Sequence, residues 1–209
     1  KYAAESGCDI IIANDPDADR IGAMYSDREK YVLLSGDEIG LIICEYLLRQ
    51  KSKVKDISGG IIVRSVVTMR LIDKIANSYG VQVKESLTGF KNICQEAVRL
   101  NNEGRGEDYI AGYEESNGIT VGSYVFDKDG ICAAMLLCEI AAELKLQDKN
   151  YNDRLEEIYD IYGIMKSRQI RMDTGGERQT EIMGKFRNAD KFPLKLLSKK
   201  DYLSDENMK

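Results

Sequence analysis

Apolar residues along the chain fall into short runs divided by glycine, aspartate and asparagine, and the runs alternate between a period of two and a helical period. Tyr2 to Gly7 reads as helix-like. Asp9 to Ala13, with Ile10-Ile11-Ile12 at its centre, reads as a buried strand, being β-branched and too brief for a helix. Pro16 cannot donate to a ladder, so the chain leaves the sheet there. Ile21 to Tyr25 and Tyr31 to Leu34 are predicted to form a hairpin about Asp27-Arg28-Glu29. A helix follows, with Asp37 as its N-cap and Ile39, Ile42, Ile43, Tyr46 and Leu47 on one face; Lys51 to Lys55 reads as a basic surface loop.

The pattern then becomes strand, helix, strand, helix. Gly60 to Val67 is a β-branched strand, Thr68 is expected to cap a helix carrying Leu71, Ile72, Ile75 and Ala76, and Gly80 stops it. Val81 to Glu85 alternates as a strand, and Thr88-Gly89-Phe90-Lys91 turns into a helix with Ala97, Val98 and Leu100. After a polar loop from Asn101 to Asp108 come a strand at Tyr109 to Tyr113, an extended stretch at Ile119 to Phe126 and an apolar helix at Ile131 to Leu146. Tyr151 to Tyr162 is an amphipathic helix, Ile164 to Met172 a strand, Gln179 to Asn188 a helix, and 199–209 a polar tail. Strands separated by helices of these lengths predict an α/β fold with a parallel or mixed sheet.

Composition narrows the classes. With 209 residues, 43% hydrophobic and 31% charged, the chain fits one large or two modest globular domains. A net charge of −5 argues against non-specific nucleic-acid binding. No apolar run is long enough to span a bilayer and no signal peptide is apparent. The five cysteines are scattered, mostly within apolar stretches and without a CxxC pair, which points to buried free thiols in a reducing cytoplasm. There is no histidine, which excludes Ser-His and Cys-His nucleophiles and histidine metal sites within this chain. Beginning at Lys1 within a helix-like stretch, the sequence reads as a piece of a longer protein.

Three stretches carry candidate chemistry. Asp15, Asp17 and Asp19 are carboxylates at alternate positions just beyond a strand, and like charges this close need a cation or several hydrogen bonds. Oxygen ligands without thiolate or imidazole suit Mg²⁺ before Ca²⁺. An EF-hand is rejected, because the positions that require Gly and Glu hold Arg20 and Ser26. A plain acidic turn stays open, and so does an aspartyl-phosphate phosphatase with Asp15 or Asp17 as nucleophile. Arg20 either pairs with a carboxylate or forks onto a phosphate. Glu114-Glu115-Ser116, again past an apolar strand, is either an acidic turn or a grip for vicinal sugar hydroxyls. Lys128, in Lys128-Asp129-Gly130, is either a solvated lysine or a point charge for phosphate. Taken together they fit phosphoryl chemistry on a sugar.

These residues resemble the α-D-phosphohexomutases, which include phosphoglucomutase and phosphomannomutase. Asp15-Pro16-Asp17-Ala18-Asp19-Arg20 is similar to the family's metal loop, with Pro and Ala in place of its glycines. Gly112-Tyr113-Glu114-Glu115-Ser116-Asn117-Gly118 is similar to its sugar-recognition loop, and Thr88-Gly89-Phe90-Lys91 and Lys128-Asp129-Gly130 match two shorter signatures in order. The resemblance covers roughly residues 1 to 150. It implies a three-layer α/β domain with a mixed sheet flanked by helices over residues 36–150, preceded at 1–35 by the end of a second domain. Residues 151–209 would lead toward a fourth. It implies Mg²⁺ on Asp15, Asp17 and Asp19 together with one oxygen of a phosphoserine on a missing domain, sugar contacts from Glu114, Ser116 and Thr88, and electrostatic help from Arg20 and Lys128. The implied substrates are hexose phosphates, namely glucose 1-phosphate and 6-phosphate with glucose 1,6-bisphosphate between them. The family's Ser-His-Asn-Pro loop and its Arg-x-Ser-Gly-Thr-Glu-Pro loop are absent. First and fourth domains of the parent are therefore expected as partners, and a sugar-phosphate-binding module without turnover remains an alternative for the chain alone.

Overall fold

The computed structural model describes residues 2–28, 30–166 and 175–189, with Lys195 and Tyr202. The chain divides into two units, Lys1–Ser167 and Arg168–Lys209.

In the first unit a short helix, α1 (Tyr2–Ser6), leads into strands β1 (Ile10–Asn14), β2 (Ile21–Asp27) and β3 (Lys30–Leu34). They form an antiparallel sheet in that order, with Ile12 opposite Ala23 and Ala23 opposite Leu34. Alternation decides which face is buried: Ile21, Ala23 and Tyr25 point into the core from β2.

Helix α2 (Gly36–Val54) begins on a capping box. Ser35 Oγ accepts the Glu38 N–H at 3.3 Å, and a Glu38 carboxylate oxygen accepts the Ser35 N–H at 2.8 Å. Asp37 is therefore not the cap. It lies buried in the first turn, where it accepts the Met69 N–H at 2.9 Å. The run from Lys51 to Val54 is also not a loop but the last turn of α2, where lysines complement the helix dipole. From Ile39 to Leu48 every residue is buried, so α2 is an interior helix rather than a surface one.

The second sheet contains β4 (Ile61–Ser65), β5 (Gln82–Ser86), β6 (Tyr109–Tyr113) and β7 (Ile119–Val121). Its order is β5-β4-β6-β7, with β4 parallel to β5 and β6 and β7 antiparallel to β6. The helices are α3 (Leu71–Ser78), α4 (Phe90–Asn102), α5 (Gly130–Lys145) and α6 (Tyr151–Tyr162). On one face of the sheet, Ile61, Val63 and Tyr109 pack against Phe90, Ile93, Ala97 and Leu100 of α4. On the other, Ile62 and Ala111 join the core built by α2, α3, α5 and α6. The expected three-layer, mixed-sheet architecture is thus observed, and β4 is buried along its whole length, as a central parallel strand requires.

Some boundaries differ from the sequence pattern. Thr68 does not cap α3; the strand ends at Ser65, the chain turns, and the buried Thr68 hydroxyl pairs with Ser65 Oγ at 2.7 Å. The stretch from Ile119 leaves the ladder after Val121, because Gly122 adopts φ +65°. Helix α4 runs to Asn102, and a 3-10 turn occupies Gly106–Asp108 within the predicted polar loop. Residues 164–166 carry no regular structure, and the rest of the strand predicted at Ile164 to Met172 lies outside the described residues, as do Glu29 and, Tyr202 apart, the tail. The thiols are all free, but only Cys44 and Cys94 are buried as expected; Cys8 and Cys132 are half-buried and Cys138 is exposed. No helix among the described residues is long and apolar enough to cross a membrane.

The second unit contains α7 (Gly176–Asn188), which begins three residues before the predicted start. Lys185 and Glu181 pair on its exposed surface at 2.6 Å.

Candidate active site

The chain leaves β1 at Asn14, and Pro16 commits it to a turn. The Ala18 N–H donates to the Asp15 carbonyl at 3.0 Å, and Asn14 Nδ2 donates to the Arg20 carbonyl at 2.8 Å. The Arg20 N–H donates to Asp15 Oδ1 at 3.0 Å, and this bond holds the Asp15 carboxyl below the usual carboxylate range. Asp15, Asp17 and Asp19 can each offer an oxygen such that all lie within 4.8 Å of one another. Oxygens around one Mg²⁺ ion span about 4 Å across the octahedron, so the donor set fits a single hard cation after small adjustment. Asp17 is the exposed member.

Ala18 occupies the left-handed region at φ +57°. An L-residue is strained there by about 1–2 kcal/mol. Changing Ala18 to Gly is expected to raise stability by about 0.5–1 kcal/mol after the extra freedom of the unfolded chain is counted. The urea midpoint checks this; a lower midpoint would show that the turn is not strained.

The second loop grows from β6. The Glu114 N–H donates to the Gly118 carbonyl at 3.0 Å, closing the turn, and Asn117 sits at φ +71° within it. Glu114 is buried, and both its oxygens are engaged: one accepts the Gly89 N–H, the other the Ser116 hydroxyl at 3.1 Å. This brings the Thr88-Gly89 turn against the loop, with Thr88 exposed beside it. Glu115 faces differently, accepting the buried Ser65 hydroxyl at 3.2 Å.

Lys128 joins the two regions. Its ammonium lies 2.7 Å from Asp19 Oδ2 and 3.1 Å from Asp127 Oδ1, over the Phe90 ring. Burial alone would lower its pKa, but the bonds to Asp19 and Asp127 outweigh that and raise it. Asp129 caps α5 by accepting the Cys132 N–H at 2.8 Å. Arg20 is about half exposed, its Nε 3.8 Å from Asp19 Oδ1, while its backbone bridges to Gly118. The Ile21 N–H donates to the Asn117 carbonyl at 3.1 Å, and Asn117 Nδ2 donates back to the Ile21 carbonyl at 2.8 Å.

The acidic loop, the Glu114 loop, the Thr88 turn and Lys128 therefore meet in one region. Phe90, Asn117 and Asp127 belong to it as well, though the pattern of charges singles out none of them. Asn117 had a signal in its position between Ser and Gly, where a left-handed residue is common. Phe90 stands within the Thr88-Gly89-Phe90-Lys91 signature, but by itself an aromatic opening a helix reads as core. The assembled donors can hold a divalent cation, accept and donate to hydroxyls, and offset anionic charge.

Comparison with known proteins assigns the chain to a family. The family described as "Phosphoglucomutase/phosphomannomutase, alpha/beta/alpha domain III" matches residues 35–162, more than half of the chain. Phosphoglucomutase of Staphylococcus aureus (strain USA300) is 32% identical over 99% of this chain and 38% of its own length. A putative phosphomannomutase from Thermus thermophilus superposes with a TM-score of 0.57 at 25% identity, covering 74% of this chain and 31% of that one. Parafusin, a phosphoglucomutase from Paramecium, gives 0.55 at 24% identity over 75% of this chain and 25% of that one, a likeness of fold. The chain thus spans well under half the length of the curated relatives it matches. On the strength of the family match and the fold, this chain belongs to the phosphoglucomutase/phosphomannomutase family.

Proposed function

We propose that this chain supplies the ion loop and the hydroxyl-reading loop of a cytoplasmic, Mg²⁺-dependent mutase that interconverts hexose 1-phosphate and hexose 6-phosphate. The observation that carries the reading is the junction itself: Lys128 on Asp19, and Arg20 paired with Gly118, join the two loops in one region. Asp15, Asp17 and Asp19 hold the ion. When bound, it offsets negative charge on the phosphoryl group as that group moves between a phosphoserine and a sugar hydroxyl. Glu114 and Ser116 form an acceptor and donor pair for sugar hydroxyls, with Thr88 beside them. Arg20 and Lys128 favour phosphate oxygens electrostatically.

In this reading residues 1–35 end a second domain, 36–150 build a third and 151–209 lead toward a fourth. The family match runs on to residue 162, and Tyr151, Leu155 and Ile158 of α6 share the third domain's core. The phosphoserine belongs to a domain outside this chain, whose lack of histidine leaves it no Ser-His-Asn-Pro loop, so the chain alone turns nothing over. The substrates are glucose 1-phosphate and 6-phosphate, with glucose 1,6-bisphosphate as the intermediate that turns within the site.

The test is conversion of glucose 1-phosphate by the full-length parent with Mg²⁺ and a trace of glucose 1,6-bisphosphate. Glucose 6-phosphate should form, and EDTA should stop it; inertness toward both glucose and mannose phosphates would reject the proposal. Replacing Glu114 by Gln in that parent should weaken sugar-phosphate affinity by about tenfold, the cost of one charge-assisted hydrogen bond, with Mg²⁺ affinity unchanged. Loss of ion affinity alone would contradict the assignment.

A further inference from the structure

Lys128 carries a flexible four-carbon stem with three rotatable donors, and such a side chain is fixed only where its surroundings fix it. Three contacts do so. Its ammonium bonds Asp19 Oδ2 at 2.7 Å and Asp127 Oδ1 at 3.1 Å. It also lies 5.3 Å from the centroid of the Phe90 ring, within range of a cation–π attraction. The stem crosses Gly118, where a Cβ would stand 2.7 Å from Lys128 Cδ and 2.7 Å from Phe90 Cε2. Only 15% of the side chain is exposed, and Phe90 itself is buried at the start of α4.

We propose that Lys128 is a positioning residue for the acidic loop, and that Phe90 and Gly118 form the seat that fixes it. Asp19 is thereby held in register with Asp15 and Asp17 before any ion arrives. This deepens the reading of that loop as an ion site and rests on it. Carboxylate ligands are commonly oriented by a second hydrogen-bonding partner, and losing that partner weakens or loosens the site. Mg²⁺ demands near-octahedral geometry whereas Ca²⁺ tolerates irregular ligands, so a preset loop favours Mg²⁺ and a slack one surrenders that preference. The same contacts tie the Thr88-Gly89-Phe90 turn to the ion loop.

Amide hydrogen exchange in the ion-free 209-residue chain tests positioning directly. The Ala18 and Arg20 amides, both bonded to Asp15, report on the loop, and the buried Ile62 of β4, the strand between β5 and β6, reports on the whole fold. In K128M and in F90L the loop amides should exchange about tenfold faster while Ile62 keeps its protection. F90L leaves every charge in place, so a charge effect cannot mimic this. Should F90L lose protection at Ile62 as well, K128M decides. Unchanged loop exchange in folded K128M overturns the proposal.

Titrations with Mg²⁺ and Ca²⁺, read from the amide shifts of residues 15–20, supply the second arm. The ratio of the Ca²⁺ to the Mg²⁺ Kd should fall by about fivefold in K128M. Both constants moving together would make Lys128 a counter-charge only and overturn positioning. A loop that responds to neither ion in this chain and in the full-length parent would reject the ion reading instead, and the exchange measurement would still decide positioning.

Discussion

Replacing Asp17 by Asn in the full-length parent is expected to lower Mg²⁺-dependent turnover by about a hundredfold or more, with the fold intact. Asn keeps the size and one oxygen of Asp but loses the charge, and a neutral amide oxygen is a weaker ligand for a hard cation. Asp17 is the triad's exposed member, so its loss should move the thermal midpoint little. By contrast Asp15 organises the turn through the Arg20 N–H, and Asp19 is bonded to Lys128, so changes there would mix structural and ionic effects. Steady-state rates across a Mg²⁺ titration, with a melting curve for each protein, check the expectation. Undiminished turnover at limiting Mg²⁺ would remove the acidic loop from the mechanism.

The second large effect is on stability. At Gly36, the first residue of α2, a Cβ would run into the backbone of the Glu114 loop: the Glu115 carbonyl oxygen, its carbon at 2.7 Å and the Asn117 nitrogen at 2.8 Å. Backbone atoms cannot rotate away as a side chain can, so the loop or the helix must shift. Gly36→Ala should therefore cost about 3 kcal/mol, at the upper end of overpacking, despite alanine's better helix propensity. Urea unfolding of the 209-residue chain measures it. A change within about 0.5 kcal/mol, the range of a neutral surface substitution, would mean the loop yields freely. In the parent, the same substitution should weaken sugar-phosphate binding, since the displaced segment carries Glu114 and Ser116.

Most of the architecture was legible because period and punctuation agree. The pattern bounds Tyr109 to Tyr113 and Tyr151 to Tyr162 to the residue, and Gly80 stops α3 with φ +69°. Errors arose where two local signals competed. Ser35 and Asp37 both resemble caps, and the reciprocal bond from Glu38 settles the matter for Ser35. Thr68 resembles a cap as well, but its hydroxyl is claimed by Ser65. Lysines suggested a loop where α2 simply continues. At the site, the charged residues announced themselves through strand-end position and spacing. What they touch did not: the Glu114–Gly89 bond spans 25 positions and the Lys128–Asp19 pair more than a hundred, distances over which periodicity carries no information.

The two-way hydrogen bonding between Ile21 and Asn117, with Arg20 bridging to Gly118, has a mechanical consequence. It welds the end of one sheet to the end of the other, so the carboxylate triad and the Glu114 loop keep a constant separation. In the proposed reaction they would act as a ruler: whichever end of a hexose bisphosphate is presented, the span from ion to sugar hydroxyl would be gauged against the same length. Any opening of the proposed full-length mutase to let that sugar turn would then hinge elsewhere, leaving the gauge undisturbed.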